Sequence, residues 1–445
     1  MNSVRCWLGV WFVCVAGWVN QAGAEDWPTF RGANRTAVSP DVGLLKEWPE
    51  EGPPLIWKAT GTGRGYSSLA IVGDRLYTLG DGLEVAADKD EYLFCLNTSD
   101  GRLIWKTKMG PAWMDRQPNW GSSRSTPTVD GDRVYAVTAE GVLVCCNSAT
   151  GRESWRKGLK NDFGGKKADG WGYSESVLID GQQLICTPGG ETTTMAALDK
   201  RTGEVTWKAV REGDRGAGHS SIVITEIGGV RAYVQMTGGG ALCVRAVDGK
   251  LMWSYPIDKT TAVIPTPIVR DNLVFFSAGY RRGGALLKQS SDGAGGIKID
   301  EIYGLKPELG NKHGGVVLLG EYVFGDSEDS GVPFCAKLAT GNVLWKKRGS
   351  GKGSAAMAAA DGHLYVQFAD GTVALVKASP DEYTEVSTFT APGSGERPSW
   401  SHPAIVNGRL YIREHDVILC YDIRAKRLAR SSPEETPAEK DFASR

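Results

Sequence analysis

The 445-residue sequence has no surplus of either charge: 51 Lys and Arg stand against 52 Asp and Glu, a formal net charge of −1. Nothing in that balance points to a polybasic surface for nucleic acid or anionic membrane. There is no C-x-x-C-H haem attachment motif, no Cys/His spacing for zinc, no phosphate loop and no nucleophile elbow. Past the first 24 residues no apolar run is long enough for a transmembrane helix. Helical periodicity is scarce throughout. What the chain has in quantity is Gly, 58 residues, and Trp, 15 residues. Many glycines mean many turns, and many tryptophans mean large apolar anchors.

Those residues recur at fixed places. "LNTSDGRLIW" (96–105), "CNSATGRESW" (146–155), "LDKRTGEVTW" (198–207), "VRAVDGKLMW" (244–253) and "AKLATGNVLW" (336–345) each carry Gly followed four residues later by Trp. Residues 119–160 read as one whole unit of four short strands joined by tight turns, β-branched or aromatic between the turns. Units follow at a period of roughly 40–52 residues, the range of four-stranded propeller blades. We place them at 65–110, 119–160, 170–213, 217–258, 261–304, 311–353, 354–395 and 399–423. The last has three strands, and "PPLIWKAT" (53–60) supplies the fourth, with Trp57 in the anchor position. The expected fold is therefore all-β: an eight-bladed propeller of four-stranded antiparallel blades, its ring closed by the N-terminal strand. Closure hides two sheet edges. Trp57, Trp105, Trp155, Trp207, Trp253 and Trp345 are expected to be buried between blades. The fifth and seventh blades lack the anchor. Residues 424–445, charged and Pro/Ser-containing, read as a disordered tail.

Residues 1–24 have a secretory pattern: Arg5, an apolar run from Cys6 to Val19, and Ala22-Gly23-Ala24 before the cut. This predicts a secreted or periplasmic protein. The cysteines do not read as a disulfide framework. Cys95, Cys145, Cys243, Cys335 and Cys420 share one slot of the repeat, so they fall in different sheets, too far apart for the ~5.5 Å Cα separation of a bridge. Cys145 and Cys146 are neighbours in a strand and should face opposite sides.

"ALDKRTGEVTW" (197–207) matches A-x-D-x-x-T-G-x-x-x-W, and four other blades match its Gly and Trp. "DWPTFRGANRTAVSP" (26–40) is similar to the start of the same proteins. The chain thus resembles the quinoprotein (pyrroloquinoline quinone, PQQ) alcohol dehydrogenase-like eight-bladed propellers over nearly all its mature length. The resemblance implies fold more than function, because the docking Trp builds the ring. The superfamily holds dehydrogenases that carry PQQ and Ca²⁺ on the axis, and non-catalytic members such as the propeller lipoprotein of the outer-membrane β-barrel assembly machine.

The starts of the innermost strands are where an axial ligand would bind. They carry Ser67-Ser68, Ser125-Thr126, Glu175-Ser176, Ser220-Ser221, His313-Gly314 and Ser401-His402, with His219 adjoining. Arg64, Arg124, Trp120, Trp171 and Trp400 lie just before them. Glu175, His219, His313, His402, Arg64, Arg124, Trp120, Trp171 and Trp400 are therefore the expected ligand-binding set; the alternative is a wet channel whose polar groups hold water. Glu175 is the one clear acid there, with Asp169 and Asn119 as helpers, too few for a Ca²⁺ site. "GDSEDSG" (325–331) and "GYRRGG" (279–284, with Arg281 and Arg282) read as solvated loops, the first a weak cation candidate and the second a weak anion candidate. His363 and His415 read as exposed. No catalytic residue and no metal site are assigned. The sequence favours a non-catalytic binding or scaffold module of the cell envelope, with a protein or carbohydrate partner. The alternatives are a dehydrogenase using PQQ with Ca²⁺ on an alcohol or sugar, and a carbohydrate-binding propeller using Trp120, Trp171 and Trp400.

Overall fold

The computed structural model describes residues 26–81, 90–114, 121–328, 330–395 and 397–425. The secretory segment, Asn119, Trp120 and residues 426–445 lie outside them. Eight four-stranded antiparallel sheets form a propeller ring. Seven are sequential meanders, at 70–111, 128–158, 178–209, 223–256, 268–306, 316–346 and 355–390. The eighth combines three C-terminal strands, Ala404–Val406, Arg409–Glu414 and Val417–Asp422, with Leu55–Ala59 as its outer strand. Trp57 faces Cys420 and Ala59 faces Ile418 in that closing pair. Among the described residues helix is confined to Leu159–Phe163 and a 3₁₀ turn at Pro307–Leu309.

The repeated Gly and Trp work across blades. Trp105 Nε1 donates to Ser148 O of the next blade, Trp155 to Lys200 O, Trp207 to Ala246 O and Trp57 to Thr98 O, at 2.8–3.2 Å. Each acceptor lies three residues before the Gly of its own turn. A Cβ on Gly151 would meet Trp105 at 2.5 Å, and one on Gly249 would meet Trp207 at 2.5 Å. Both glycines have φ near +72°, so the position needs Gly for its conformation and for the ring lying on it. Trp57, Trp207 and Trp253 are buried; Trp105, Trp155 and Trp345 are only half-buried. In the fifth blade Tyr303 takes the anchor role, its hydroxyl donating to Leu338 O at 2.9 Å.

The shared cysteine slot has the same logic. Cys95, Cys145, Cys243, Cys335 and Cys420 pair in register with Trp105, Trp155, Trp253, Trp345 and Trp57, and Ala197 pairs with Trp207. A large ring on the outer strand needs a small neighbour on the third. All seven described cysteines are free and buried. Cys145 packs with the core shared with the third blade and Cys146 with that of the first, so the two sulfurs do face opposite ways.

Arg424 and Ala425, which the sequence assigned to the tail, are held against the ring. Ala425 N donates to Gly43 O and Arg424 pairs with Asp422.

Candidate functional site: the axial pocket and its plug

The ring is floored by residues 27–39, the stretch that in sequence was only a family likeness. Trp27 exchanges backbone bonds with Ile71 of the first blade, and Pro28 O accepts from Val129 of the second. Arg35 reaches Ser176 O (2.8 Å) and Val177 O in the third blade and Ile222 O (3.1 Å) in the fourth. Arg31 donates to Val316 O of the sixth, and Ala37 pairs with Ala359 of the seventh. Arg31, Arg35 and Ala37 all adopt left-handed backbone, at φ 67°, 57° and 59°. Such non-glycine strain persists only where contacts over-determine it, and the two guanidinium groups, bonded to carbonyls around the axis, do that.

Above this floor lies a pocket of about 200 Å³. Its wall follows the starts of the innermost strands, as expected, but the residue pairs there divide their work. In five of the six pairs the second member belongs to a belt running round the axis; Gly314 does not. His402 N donates to Ser68 Oγ (2.7 Å), Ser68 N to Thr126 Oγ1 (3.1 Å), Thr126 N to Ser176 Oγ (3.0 Å), Ser176 N to Ser221 Oγ (3.1 Å) and Ser221 N to Thr266 Oγ1 (3.3 Å). Some first members turn back into their own blade: Ser125 Oγ donates to Val137 O and Ser67 Oγ accepts from Leu79 N, whereas His313 faces the pocket. Hydroxyls recur here because each blade start leaves an N–H that the next blade must satisfy.

This corrects the expectation for Glu175. It occupies a turned-back position, is buried and does not line the pocket. Its carboxylate accepts the Thr187 N–H (2.7 Å), the Thr187 hydroxyl (2.8 Å) and Gln235 Nε2 (3.1 Å). Burial raises its pKa to about 7 against the pull of those bonds and of Arg35. A carboxyl raised above its unfolded value of 4.5 contributes stability below that value and loses it as pH rises through 7. His219 and His402, with lowered values, act in the opposite sense below their ordinary 6.5. Urea melts of wild type and Glu175→Gln, compared from pH 5 to 8, should isolate the Glu175 share. Wild type should lose about 1–3 kcal/mol relative to the variant over that window; parallel curves would show that Glu175 keeps an ordinary pKa.

Arg64 is also withdrawn from the pocket, paired with Asp81 at 2.6 Å. Trp171, Trp400, Arg124, His219, His313 and His402 do line it. Trp400 stacks on His313, centroids 4.2 Å apart at 15°, and Tyr66 tilts against Trp400 at 4.9 Å. His415 is half-buried, not exposed, and sets its edge against Tyr66 at 5.2 Å; His363 is half-buried too, its Nδ1 3.1 Å from Asp361 O. Arg124 lies over Tyr66 at 5.2 Å and Lys312 over Tyr280 at 4.7 Å. Sequence reasoning missed Phe30, Arg31, Tyr66, Tyr280 and Lys312. Tyr66 and Lys312 each sit one residue before a pair that was singled out. Phe30 and Arg31 reach the axis only because the plug folds under it, which no local pattern announces.

His219 joins two blades: Nδ1 is 2.6 Å from Ser174 Oγ and Nε2 is 2.9 Å from Asp169 Oδ2. Burial, then nearby Lys167, lower its pKa to about 4 against the pull of Asp169. The neutral ring donates Nε2–H to Asp169 and accepts from Ser174 at Nδ1.

The two solvated loops prove to be partners. Glu328 of the acidic loop accepts the N–H groups of Tyr280 (2.7 Å) and Arg281 (2.8 Å), whose positive φ values form an anion-holding nest. Asp326 is fully buried and accepts from Val332 N and Ala355 N, tying the sixth blade to the seventh.

A Ca²⁺ ion needs six to eight oxygens, several of them carboxylate. None of the described lining residues is Asp or Glu. Glu175 is saturated inside the wall, and Asp169 is held by His219. No group of three or more His, Cys, Asp or Glu able to share a metal occurs among the described residues. The described residues do not fit a Ca²⁺-dependent quinone centre.

Fold and repeat together define a PQQ-like repeat eight-bladed propeller. The family model described as outer membrane protein assembly factor BamB matches residues 89–347, more than half the chain, and the chain belongs to that family. The outer membrane protein assembly factor BamB of Alkalilimnicola ehrlichii is 23% identical over 194 residues, 43% of this chain and 41% of that protein. The match thus spans less than half of that relative's length. In structure, BamB from Moraxella catarrhalis superposes with a TM-score of 0.54 at 16% identity, over 83% of this chain and 99% of that one. A europium-containing methanol dehydrogenase gives 0.63 at 13% identity over 87% and 89%, and the quinohemoprotein alcohol dehydrogenase of Comamonas testosteroni 0.59 at 13% over 90% and 81%. At such identities the likeness shows the fold alone. No helix among the described residues is long and apolar enough to cross a membrane.

Proposed function

We propose that this propeller is a non-catalytic binding module of the cell envelope that holds a protein partner at its axial mouth. The observation that carries the reading is where the acids go. Glu175 and Asp169, the groups a quinone centre would need, are spent on Thr187, Gln235 and His219. What remains at the mouth is aromatic and cationic, a surface suited to side-chain recognition. Membership of the BamB family and the secretory N-terminal pattern support an envelope role. The test places a photo-crosslinking residue at Trp400 or Tyr66 of the full chain in the producing cells. A discrete adduct with one envelope protein is expected, and purified protein with PQQ and Ca²⁺ should reduce no dye with alcohols or sugars. Dye-linked turnover would sink the reading.

One observation favours a second reading. Ser174, His219 and Asp169 form a hydrogen-bonded line at the pocket wall, in which His219 Nδ1 can take the Ser174 proton. Labelling of Ser174 by a fluorophosphonate, abolished in Ser174→Ala, would favour acyl transfer.

A further inference from the structure

Arg31 is 2% exposed and lines the base of the axial pocket. Its Nε donates to Arg35 O and its Nη2 to Thr36 O, both at 3.3 Å, and Nη2 also bonds Val316 O. Its Nη1 has no hydrogen-bond partner. Among the described residues no carboxylate pairs with it, whereas the other plug arginine, Arg35, has the Glu175 charge nearby. A buried guanidinium compensated by carbonyl dipoles alone is costly. Nη1 is packed against Gly315, where a Cβ would collide with it, and both residues line the pocket.

The rest of the lining has the same sign. Arg124 and Lys312 are its other ionised groups. The histidines there are not counter-charges. His402 has its pKa pushed to about 3 by burial and by Arg31. Its Nε2 sits 3.3 Å from His313 O, so the neutral ring leaves Nδ1 as an acceptor, and that atom also lacks a partner. An unpaired donor and an unpaired acceptor thus lie beneath one pocket, ringed by Trp400, Trp171, Tyr66 and Phe30.

We propose that the axial pocket receives an acidic residue of the partner polypeptide, its carboxylate completing the charge of Arg31. This rests on the reading of the mouth as a protein-binding site and names the chemistry of what enters. A residue of this kind brings a backbone N–H close to its carboxylate, matching the acceptor at His402 Nδ1. Apolar groups beside it lie against Trp400 and Trp171. The cavity, about 200 Å³, admits one such side chain and its neighbour, not a folded domain. Neutral sugars are disfavoured, because no carboxylate among the described lining residues is there to accept their hydroxyls.

The test uses the full chain and blocked tetrapeptides, acetyl-Gly-Asp-Phe-Gly-amide and its Asn counterpart, titrated by ligand-observed NMR. The Asp peptide should saturate and the Asn peptide should bind at least ~10-fold more weakly, a difference of about 1.4 kcal/mol. Arg31→Gln and Lys312→Met should each bring the Asp peptide down towards the Asn level while leaving the Asn peptide unchanged. If Arg31→Gln fails to fold, Lys312→Met and the peptide pair still decide. Equal binding of the two peptides, no saturation by about 10 mM, or displacement of the Asp peptide by equimolar glucuronate or PQQ would overturn the proposal. A crosslinked partner at Trp400 with a negative peptide result would leave the binding role standing and remove the acidic residue from it.

Discussion

A chain lacking residues 26–60 is expected to give no cooperative melt and to accumulate as insoluble protein. The deletion removes two things that tertiary structure puts far apart. One is the plug, whose Arg31 and Arg35 bond carbonyls in three blades, the third, fourth and sixth. The other is Leu55–Ala59, the outer strand of the eighth blade. Trp27, Leu44, Trp48 and Trp57 all belong to the largest core cluster. Trp48 alone touches Tyr365 and Phe389, with centroids 5.7 and 5.5 Å away. Truncating one large buried aromatic costs about 3–5 kcal/mol, so losing three exceeds much of the ~5–15 kcal/mol that holds a domain together. The deletion also bares the edge of Val417–Asp422, a template for pairing with other chains. Soluble yield and a urea melt of the truncated chain decide it. A truncation that melts like the full chain would show that the ring holds without its seam.

The second large effect lies at the blade joint of Trp207 and Gly249. Trp207 stacks on Tyr233 at 6.3 Å and 24°, donates to Ala246 O at 2.9 Å and covers Gly249. Trp207→Ala should cost about 3–5 kcal/mol. Gly249→Ala should also cost several kcal/mol, because the new Cβ meets the indole at 2.5 Å and the φ of +72° is strained for Ala by about 1–2 kcal/mol. The double variant is the informative one. With the indole gone the Cβ has room, so only the backbone strain should add. Stabilities measured by urea unfolding should therefore be sub-additive, with a coupling of roughly 1–3 kcal/mol. Additive losses would mean that the repeated Gly is there for its turn alone.

Much of this molecule is legible in sequence because the repeat states one local fact several times over. "T-G-x-x-x-W" specifies a turn, a bulge and an anchor, and repetition averages away the exceptions. The fifth blade shows the limit. It lacks the Trp, yet Tyr303 makes the equivalent bond to Leu338 O; a tyrosine in a strand is too ordinary to be recognised as an anchor. The candidate site was half legible. Trp171, Trp400, Arg124, His219, His313 and His402 reach the pocket, because strand starts in a propeller must face the axis. Glu175 does not, because its carboxylate is turned back onto Thr187 of its own blade, although His313 at the same place in its pair faces the pocket; sequence alone does not tell the two apart.

The sequence by itself determined the number of blades, the seam at residues 53–60 and the fate of the cysteines. Each follows from short-range pattern: alternation, turn chemistry and a small residue opposite a large one. Tertiary structure alone decided the floor and charge of the axis. Residues 27–39 have no periodicity, and the blade carbonyls that Arg31 and Arg35 reach lie more than 140 residues away. Contacts so distant along the chain exist only once all eight blades have closed around them, and they turn an open channel into a pocket with an unpaired cation at its base.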